Sequence, residues 1–515
     1  MSARNADRMF ALALCAWAVA LVAWLLLSGA GVTREDGYYY LQIARNVAWG
    51  RGSTFDGVTP TNGYHPLWML VLVPVFRAFP GTGAGHDAAV ALQAALLAMA
   101  LAVLYRLLRR NAGALASALG ATLWVALVYR EAVSGLEFAV HALAVTVAAA
   151  AYARRRDAPP TARADLGLGA LLALAFLARL DNALLAAFVV AAVAIEELRR
   201  GRPPGVRLLR VSLPVAAVAG LYAAVNLWLF GAWTPVSGAL KREWAQHTLA
   251  RDPRYVSGGW ARAKLHQLLW PAAALLRPQP PVLAVALALG AYVAPALLVA
   301  RRLTGAFPGL TRPAGALAEI APFVAFGVVQ MLAAIAVYHG EGSFAGSSWY
   351  YAVQPLAAAV VVAALGQSAL ERAHARGERR PRWVEAILVG AVAALVLRTT
   401  AAAATARARE MPDLHLESAA WVRDNLPRDA VLGSWNAGAL GYRSERRVVS
   451  LDGLVNSWSF YRGERRDLCA YWERVGVTHL VDLFDEGKRP AAPEPASGGF
   501  AGCVDRLEPI HEVLQ

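Results

Sequence analysis

Apolar residues along this chain are grouped in long runs rather than in the short alternations of a soluble fold. The runs fall at 9–30, 66–79, 88–108, 113–129, 137–153, 166–179, 183–198, 211–230, 281–300, 320–338, 350–368 and 384–402. Several approach the ~20 residues that a helix needs to cross the hydrocarbon core of a bilayer. They predict a polytopic α-helical membrane protein, because a helix satisfies its own backbone groups where no water is available. Basic residues interrupt the pattern at Arg4 and Arg8, at Arg106, Arg109 and Arg110, at Arg154–Arg156, between Arg199 and Arg210, at Arg301 and Arg302, and between Arg372 and Arg382. Assigned to the cytoplasm by the positive-inside rule, these clusters put loops 31–87, 130–136, 180–182, 231–280 and 339–349 on the outer face.

Residue 65 is then outside and residue 106 inside, yet two apolar runs lie between them. The run at 66–79 is short and carries Pro66, Pro74 and Arg77, so it reads as a juxtamembrane helix along the outer interface. About 11 spans remain, with the N-terminus inside and the C-terminus outside. Residues 9–30 are read as a retained first span, since the run is long for a signal peptide and no convincing cleavage site follows it.

The pattern changes after residue 402. Leu416–Leu426 reads as an amphipathic helix, Ala430–Ser434, Val448–Leu451 and Thr478–Val481 as short strands, and Leu468–Val475 as a helix. The expected organisation is a transmembrane catalytic domain, 1–402, and a small extracytoplasmic α/β domain, 403–515.

Composition sharpens this picture. Of 515 residues, 57% are apolar and 17% charged, and the mean hydropathy is +0.41, which excludes a soluble globular domain. The net charge of +14 does not point to nucleic acid, because the arginines sit between apolar runs where membrane topology places them. The three cysteines, Cys15, Cys469 and Cys503, form no metal-binding spacing. Cys469 and Cys503 would share an oxidising compartment, where a disulfide and two unpaired thiols are both open.

The polar residues of the outer loops carry the candidate chemistry. The first loop reads Glu35-Asp36-Gly37-Tyr38-Tyr39-Tyr40, then Thr61-Asn62-Gly63-Tyr64-His65-Pro66-Leu67-Trp68. A carboxylate at the membrane surface, partly desolvated, can deprotonate an acceptor hydroxyl. Thr33 and Asp36 also fit a capping box opening a surface helix, and Tyr38–Tyr40 and Trp68 fit interfacial aromatics. Further outer groups are Glu131, Ser134 and Glu137; Arg179, Asp181 and Asn182; Thr234-Pro235 with Lys241; Tyr338-His339-Gly340-Glu341; and Trp349-Tyr350-Tyr351. Arg179 and Asp181 fit either a functional pair at membrane depth or an ion pair holding a turn. Lys241 fits either a phosphate ligand or a lysine reaching the headgroups. In the tail, Ser434–Gly438 and the loop containing Asp452 and Asn456 read as strand-end loops.

These features together resemble the GT-C glycosyltransferases: an acidic pair just outside span 1, a juxtamembrane helix, many spans and an outer C-terminal domain. That superfamily includes the protein O-mannosyltransferases, the lipid A aminoarabinose transferases and the mycobacterial arabinofuranosyltransferases. The first-loop string is the specific part. Ser134-Gly135-Leu136-Glu137, Arg179-Leu180-Asp181-Asn182, Thr234-Pro235 with Lys241, and Leu451-Asp452-Gly453 are similar as well. The resemblance implies a polyprenyl-phosphate sugar donor, a glycan, lipid or protein acceptor, inversion at the anomeric carbon, and a multi-pass protein of the bacterial cytoplasmic membrane. It implies Asp36 as catalytic base with Glu35 the alternative, and Lys241 and Arg179 offsetting charge on the leaving phosphate. Asn62, Tyr64, His65, Glu137, Asp181, Tyr350, Asp452 and Asn456 complete the expected substrate-binding set. Some members bind a divalent metal near the first-loop acid, for which Asp36 and His65 are the candidate ligands. The rival classes are a transporter of lipid-linked sugars and a non-catalytic membrane scaffold. No internal repeat supports the former, and the scaffold has no need of Glu35-Asp36 in the first loop.

Overall fold

The structure is a computed structural model that describes residues 3–27, 33–156, 159–251, 253–300, 311–337, 348–375, 382–409 and 414–482. Every apolar run of the sequence is helical. The bundle is built from α1 (Ala3–Leu27), α2 (Glu35–Ala48), α3 (Pro66–Ala78), α4 (Thr82–Leu108), α5 (Ala114–Ala132), α6 (Phe138–Arg155), α7 (Ala162–Ala178), α8 (Asn182–Arg199) and α9 (Gly205–Phe230). It continues with α10 (Val236–Arg251), α11 (Pro253–Leu275), α12 (Val282–Leu287), α13 (Ala294–Ala300), α14 (Thr311–Ala318), α15 (Ala321–Val337), α16 (Val353–Ala375) and α17 (Arg382–Arg409). A π-helical turn, Ala288–Val293, joins α12 to α13, so that Val282–Ala300 runs as one apolar rod.

Five described helices are individually long and apolar enough to cross a membrane: α4, α9, the Val282–Ala300 rod, α16 and α17. A sixth crossing arises if α14 and α15, bent by 85° at their break, count as one. Helix α3 has only 13 residues and starts at Pro66, whose missing N–H costs nothing at a first helical position. Small side chains let the helices approach closely. Ala116 and Ala121 of α5 and Ala359 and Ala363 of α16 are all buried, and α5 packs along α16 as α7 does along α9.

The tail begins with α18 (Leu414–Asn425) and continues through β1 (Val431–Ser434), α19 (Ala437–Arg443), β2 (Arg447–Ser450), α20 (Trp458–Arg462), α21 (Leu468–Val475) and β3 (His479–Leu480). The three strands form an all-parallel sheet in the order β2-β1-β3, with Leu432 opposite both Val448 and His479. The strands and helices read from the tail sequence are present. The segment after Ser434, read as a strand-end loop, turns into α19 within two residues. Cys503 and the Tyr338–Glu341 string lie outside the described residues.

The tail is docked on the first loop. Arg447 pairs with Asp56 at 3.1 Å, the Thr61 hydroxyl donates to the Asn456 carbonyl at 2.9 Å, and the Tyr442 hydroxyl donates to the Thr82 carbonyl at 2.7 Å. Gly63 is required at this seam. A Cβ there would lie 2.0 Å from the Leu454 carbonyl oxygen, so the two backbones touch directly.

Candidate active site

Helix α2 opens with the two carboxylates and presents them differently. Its N-cap is Arg34, which makes no side-chain cap bond, and the Thr33 hydroxyl bonds the His86 ring at 2.8 Å instead. No capping box forms, so that reading of Asp36 is corrected. Both acids still gain from the positive end of the helix dipole. Gly37 lets this first turn lie against the Ser134–Gly135 loop, because a Cβ would fall 2.3 Å from the Ser134 carbonyl oxygen.

Glu35 is committed to the tail. Both its oxygens accept the Ala439 amide, at 3.1 Å each, in the first turn of α19. Asp36 faces Lys241 instead. The Lys241 Nζ lies 3.5 Å from Asp36 Oδ2, and both side chains stay partly open to solvent. Lys241 also donates to the Tyr350 hydroxyl at 3.4 Å. Across the Tyr350 ring sits Arg179, with its guanidinium carbon 4.4 Å from the ring centroid.

Arg179 is enclosed by carboxylates. It bonds Glu137 at 2.5 Å and Asp181 at 3.2 Å, and is itself buried. Burial alone would raise the Asp181 carboxyl, but Arg179, helped by the Gln330 amide at 2.9 Å, holds it down near 2. The same Gln330 amide donates to the Tyr350 carbonyl at 3.0 Å, fixing the aromatic between the two cations. The expected ion pair and the expected site residue are therefore one arrangement. Gln330, deep in an apolar helix, joins this cluster, and sequence reasoning missed it. Its signal was a lone amide in an apolar span.

His65 is the N-cap residue of α3. Its amide donates to the Tyr40 hydroxyl at 2.9 Å, and its ring lies 3.8 Å from Glu137. Burial lowers its pKa to about 4, so the ring is neutral at physiological pH. The Leu180 amide approaches Nδ1 at 3.5 Å, which leaves the proton on Nε2, facing Glu137.

Asp452 comes from the loop after β2. Its Oδ1 accepts from the Ser450 hydroxyl at 2.6 Å and the Leu454 amide at 2.9 Å, and its Oδ2 accepts from the Tyr39 hydroxyl at 3.2 Å. Burial pushes its carboxyl up to about 7, and the nearby Asp36 adds to the rise.

Asp36, Lys241, Tyr350, Arg179, Asp181, Glu137 and His65 thus form one connected cluster, with Asp452 joined through Tyr39. Three expected residues do other work. The Asn62 side chain bonds Asn226, the Thr234 carbonyl and the Val236 amide at 2.8–3.0 Å, which pins the start of the helix carrying Lys241. The Tyr64 hydroxyl bonds Ser53 at 2.7 Å. Asn456 lies inside the tail, bonded to the Ser450 carbonyl and the Tyr471 hydroxyl. The aromatics Tyr38, Tyr39, Tyr40 and Trp68 are buried beneath the tail and the loops, so the interfacial reading is corrected too. A neighbouring pair also went unread: Arg34 bonds Glu131 at 2.7 Å and stacks on Trp349.

The described residues do not suit the divalent metal implied by the resemblance. Among the described residues, no three His, Cys, Asp or Glu side chains converge as a metal site. Beside Asp36 stands an ammonium, and the His65 Nδ1 points to a backbone amide.

A family model described as a domain of unknown function (DUF8728) matches residues 402–498. No curated protein matches the chain. Among solved structures, the oligosaccharyltransferase of Archaeoglobus fulgidus in complex with Zn and sulfate aligns with a TM-score of 0.50 at 14% identity, over 91% of this chain and 67% of that one. The oligosaccharyltransferase AglB of that organism, in complex with an inhibitory peptide and a dolichol-phosphate, aligns with a TM-score of 0.49 at 13% identity, over 92% and 69%. ArnT from Cupriavidus metallidurans bound to undecaprenyl phosphate aligns with a TM-score of 0.41 at 18% identity, over 84% and 85%. At 14% identity the first of these likenesses establishes the fold alone. The chain is a multi-pass helical membrane protein with the architecture of the archaeal oligosaccharyltransferase, as the GT-C resemblance implies.

Proposed function

We propose that this chain is a glycosyltransferase of the bacterial cytoplasmic membrane. It moves a sugar from a polyprenyl-phosphate donor to a cell-envelope acceptor on the outer face. Residues 1–402 form its catalytic domain, and 403–515 an extracytoplasmic domain. The observation that carries the reading is the division of labour at the start of α2: Glu35 is spent on docking the tail, while Asp36 stands open beside Lys241.

In this reading Asp36 takes the proton of an acceptor hydroxyl as the oxygen attacks the anomeric carbon. The bond between that carbon and the phosphate oxygen breaks, the configuration inverts, and polyprenyl phosphate leaves with the bonding electrons. Lys241 offsets the charge developing on the phosphate. Arg179 already has two carboxylate partners, so its part is to hold Tyr350 and the floor of the site. Neutral His65 lines the donor side.

The test is sugar transfer by the purified protein in lipid. A panel of polyprenyl-phosphate sugars is offered with cell-envelope extract as acceptor. Transfer from at least one donor, with stoichiometric release of polyprenyl phosphate, is expected. Movement of labelled lipid across the bilayer without any transfer would replace the enzyme by a transporter.

A further inference from the structure

The carboxyl ends of the strands in an open parallel sheet are where such sheets meet their ligands. In the tail these ends face the first loop. The loop after β2 delivers Asp452 to Tyr39, and Tyr39 lies three residues after Asp36, on the same face of α2. Asp452 is held on three sides, by Ser450, Leu454 and Tyr39, and makes no salt bridge among the described residues. The charged group that acts on it is Asp36 itself, with Lys241 of α10 beyond; Glu35 of the same turn is bound to Ala439.

Resting on the reading of Asp36 as the base, we propose that Asp452 is a positioning residue of the catalytic centre. Through the Tyr39 hydroxyl, the outer α/β unit sets where Asp36 stands. The transmembrane part therefore does not complete its own site: the fourth side of the first turn of α2 is supplied by the tail.

The chemistry of the link follows from its surroundings. Loss of hydration beside another carboxylate favours the neutral acid here, and it outweighs the Ser450, Leu454 and Tyr39 donors, which favour the ionised form. Ionising it puts two like charges at opposite ends of the Asp36–Tyr39 turn and drives them apart. The sign is fixed by linkage. The folded value of about 7 lies above that of an unfolded aspartate, so the folded state binds the extra proton. Stability from this group is full in acid, below the unfolded value, and is lost as pH rises through the folded one.

The experiment compares wild type, Asp452→Asn and Tyr39→Phe for thermal unfolding, for binding of polyprenyl phosphate, and for transfer as a function of pH. Asparagine keeps an oxygen for the Ser450 hydroxyl and the Leu454 amide and turns an N–H toward the Tyr39 oxygen, as the neutral acid turns its O–H, but it cannot ionise. Its unfolding temperature is expected to gain on that of wild type by a margin that widens from about pH 4 to about pH 7 and then stays level. Wild-type transfer is expected to decline on the alkaline side, and the Asn variant is expected to lack that decline. Tyr39→Phe is expected to cut transfer roughly tenfold with phosphate binding unchanged. A purely structural Asp452 gives the opposite result: both variants unfold earlier, lose transfer in proportion, and leave the pH profile in place. That outcome overturns the proposal. If wild type transfers nothing from any donor, the reading of Asp36 fails instead. The widening unfolding margin then still decides whether Asp452 is the neutral link.

Discussion

Charged clusters stand at both ends of α7 and α8, and the two are built differently. At one end Arg207 is clamped between Asp165 at 2.9 Å and Glu197 at 2.5 Å, with side chains 9%, 0% and 3% exposed. Arg200 and Arg202 close over Glu197 from outside. Past the other end, beyond Arg179 and Asp181, Lys241 of α10 and Asp36 of α2 stand 3.5 Å apart, with 25% and 32% of their side chains exposed. The first cluster is closed, short and fully partnered, and ties three helix ends together. The second is longer and more open to solvent, as the proposed roles of Asp36 and Lys241 require. The sequence shows ionisable residues at both places. What separates the two clusters is how far each is closed from solvent.

Substitutions that treat the two ends alike break the comparison. Arg207→Ala leaves Asp165 buried without its partner and Glu197 with only Arg200 and Arg202, and is expected to cost about 3–5 kcal/mol, measured as lost unfolding temperature and folded yield in detergent. Lys241→Ala is expected to unfold as wild type does but to transfer about 100-fold more slowly, since it removes one preorganised stabiliser of the leaving phosphate. Equal losses of stability at the two sites would erase the distinction. Glu35→Gln sharpens it within a single turn of α2. It should weaken the hold on α19 by about 1.5–3 kcal/mol, read as faster hydrogen exchange across Ala437–Arg443, with transfer reduced less than tenfold.

Much of the fold was legible because the bilayer constrains it so tightly. An apolar run in hydrocarbon must close its own backbone hydrogen bonds, so each of the twelve runs is a helix. The tail elements followed from short periodic segments in the same local way. Asp36, Lys241, Arg179, Asp181, Glu137 and His65 were visible because ionisable groups near a membrane need a reason. Their distances could not be read. Glu35 meets Ala439 across 404 positions and Tyr39 meets Asp452 across 413, and no local pattern encodes such pairs. The same blindness explains the corrections. Tyr38–Tyr40 have the composition of an interfacial belt, yet the tail covers Tyr38 and Tyr39 and the first loop covers Tyr40. Thr33 has the spacing of a cap, yet His86 takes its hydroxyl. Asn62 and Asn456 look like ligands for substrate, but they hold loops together through buried amides that would be costly unpaired.

The central claim is that Asp36, and not its neighbour Glu35, does the chemistry. It is tested most directly by single-turnover transfer with Asp36→Asn and Glu35→Gln side by side, with polyprenyl-phosphate binding and unfolding temperature followed on the same preparations. The account predicts that Asp36→Asn loses transfer by about 10²–10⁴-fold while binding and unfolding stay as in wild type. Transfer at the wild-type rate by Asp36→Asn, or the larger loss in Glu35→Gln, would contradict it.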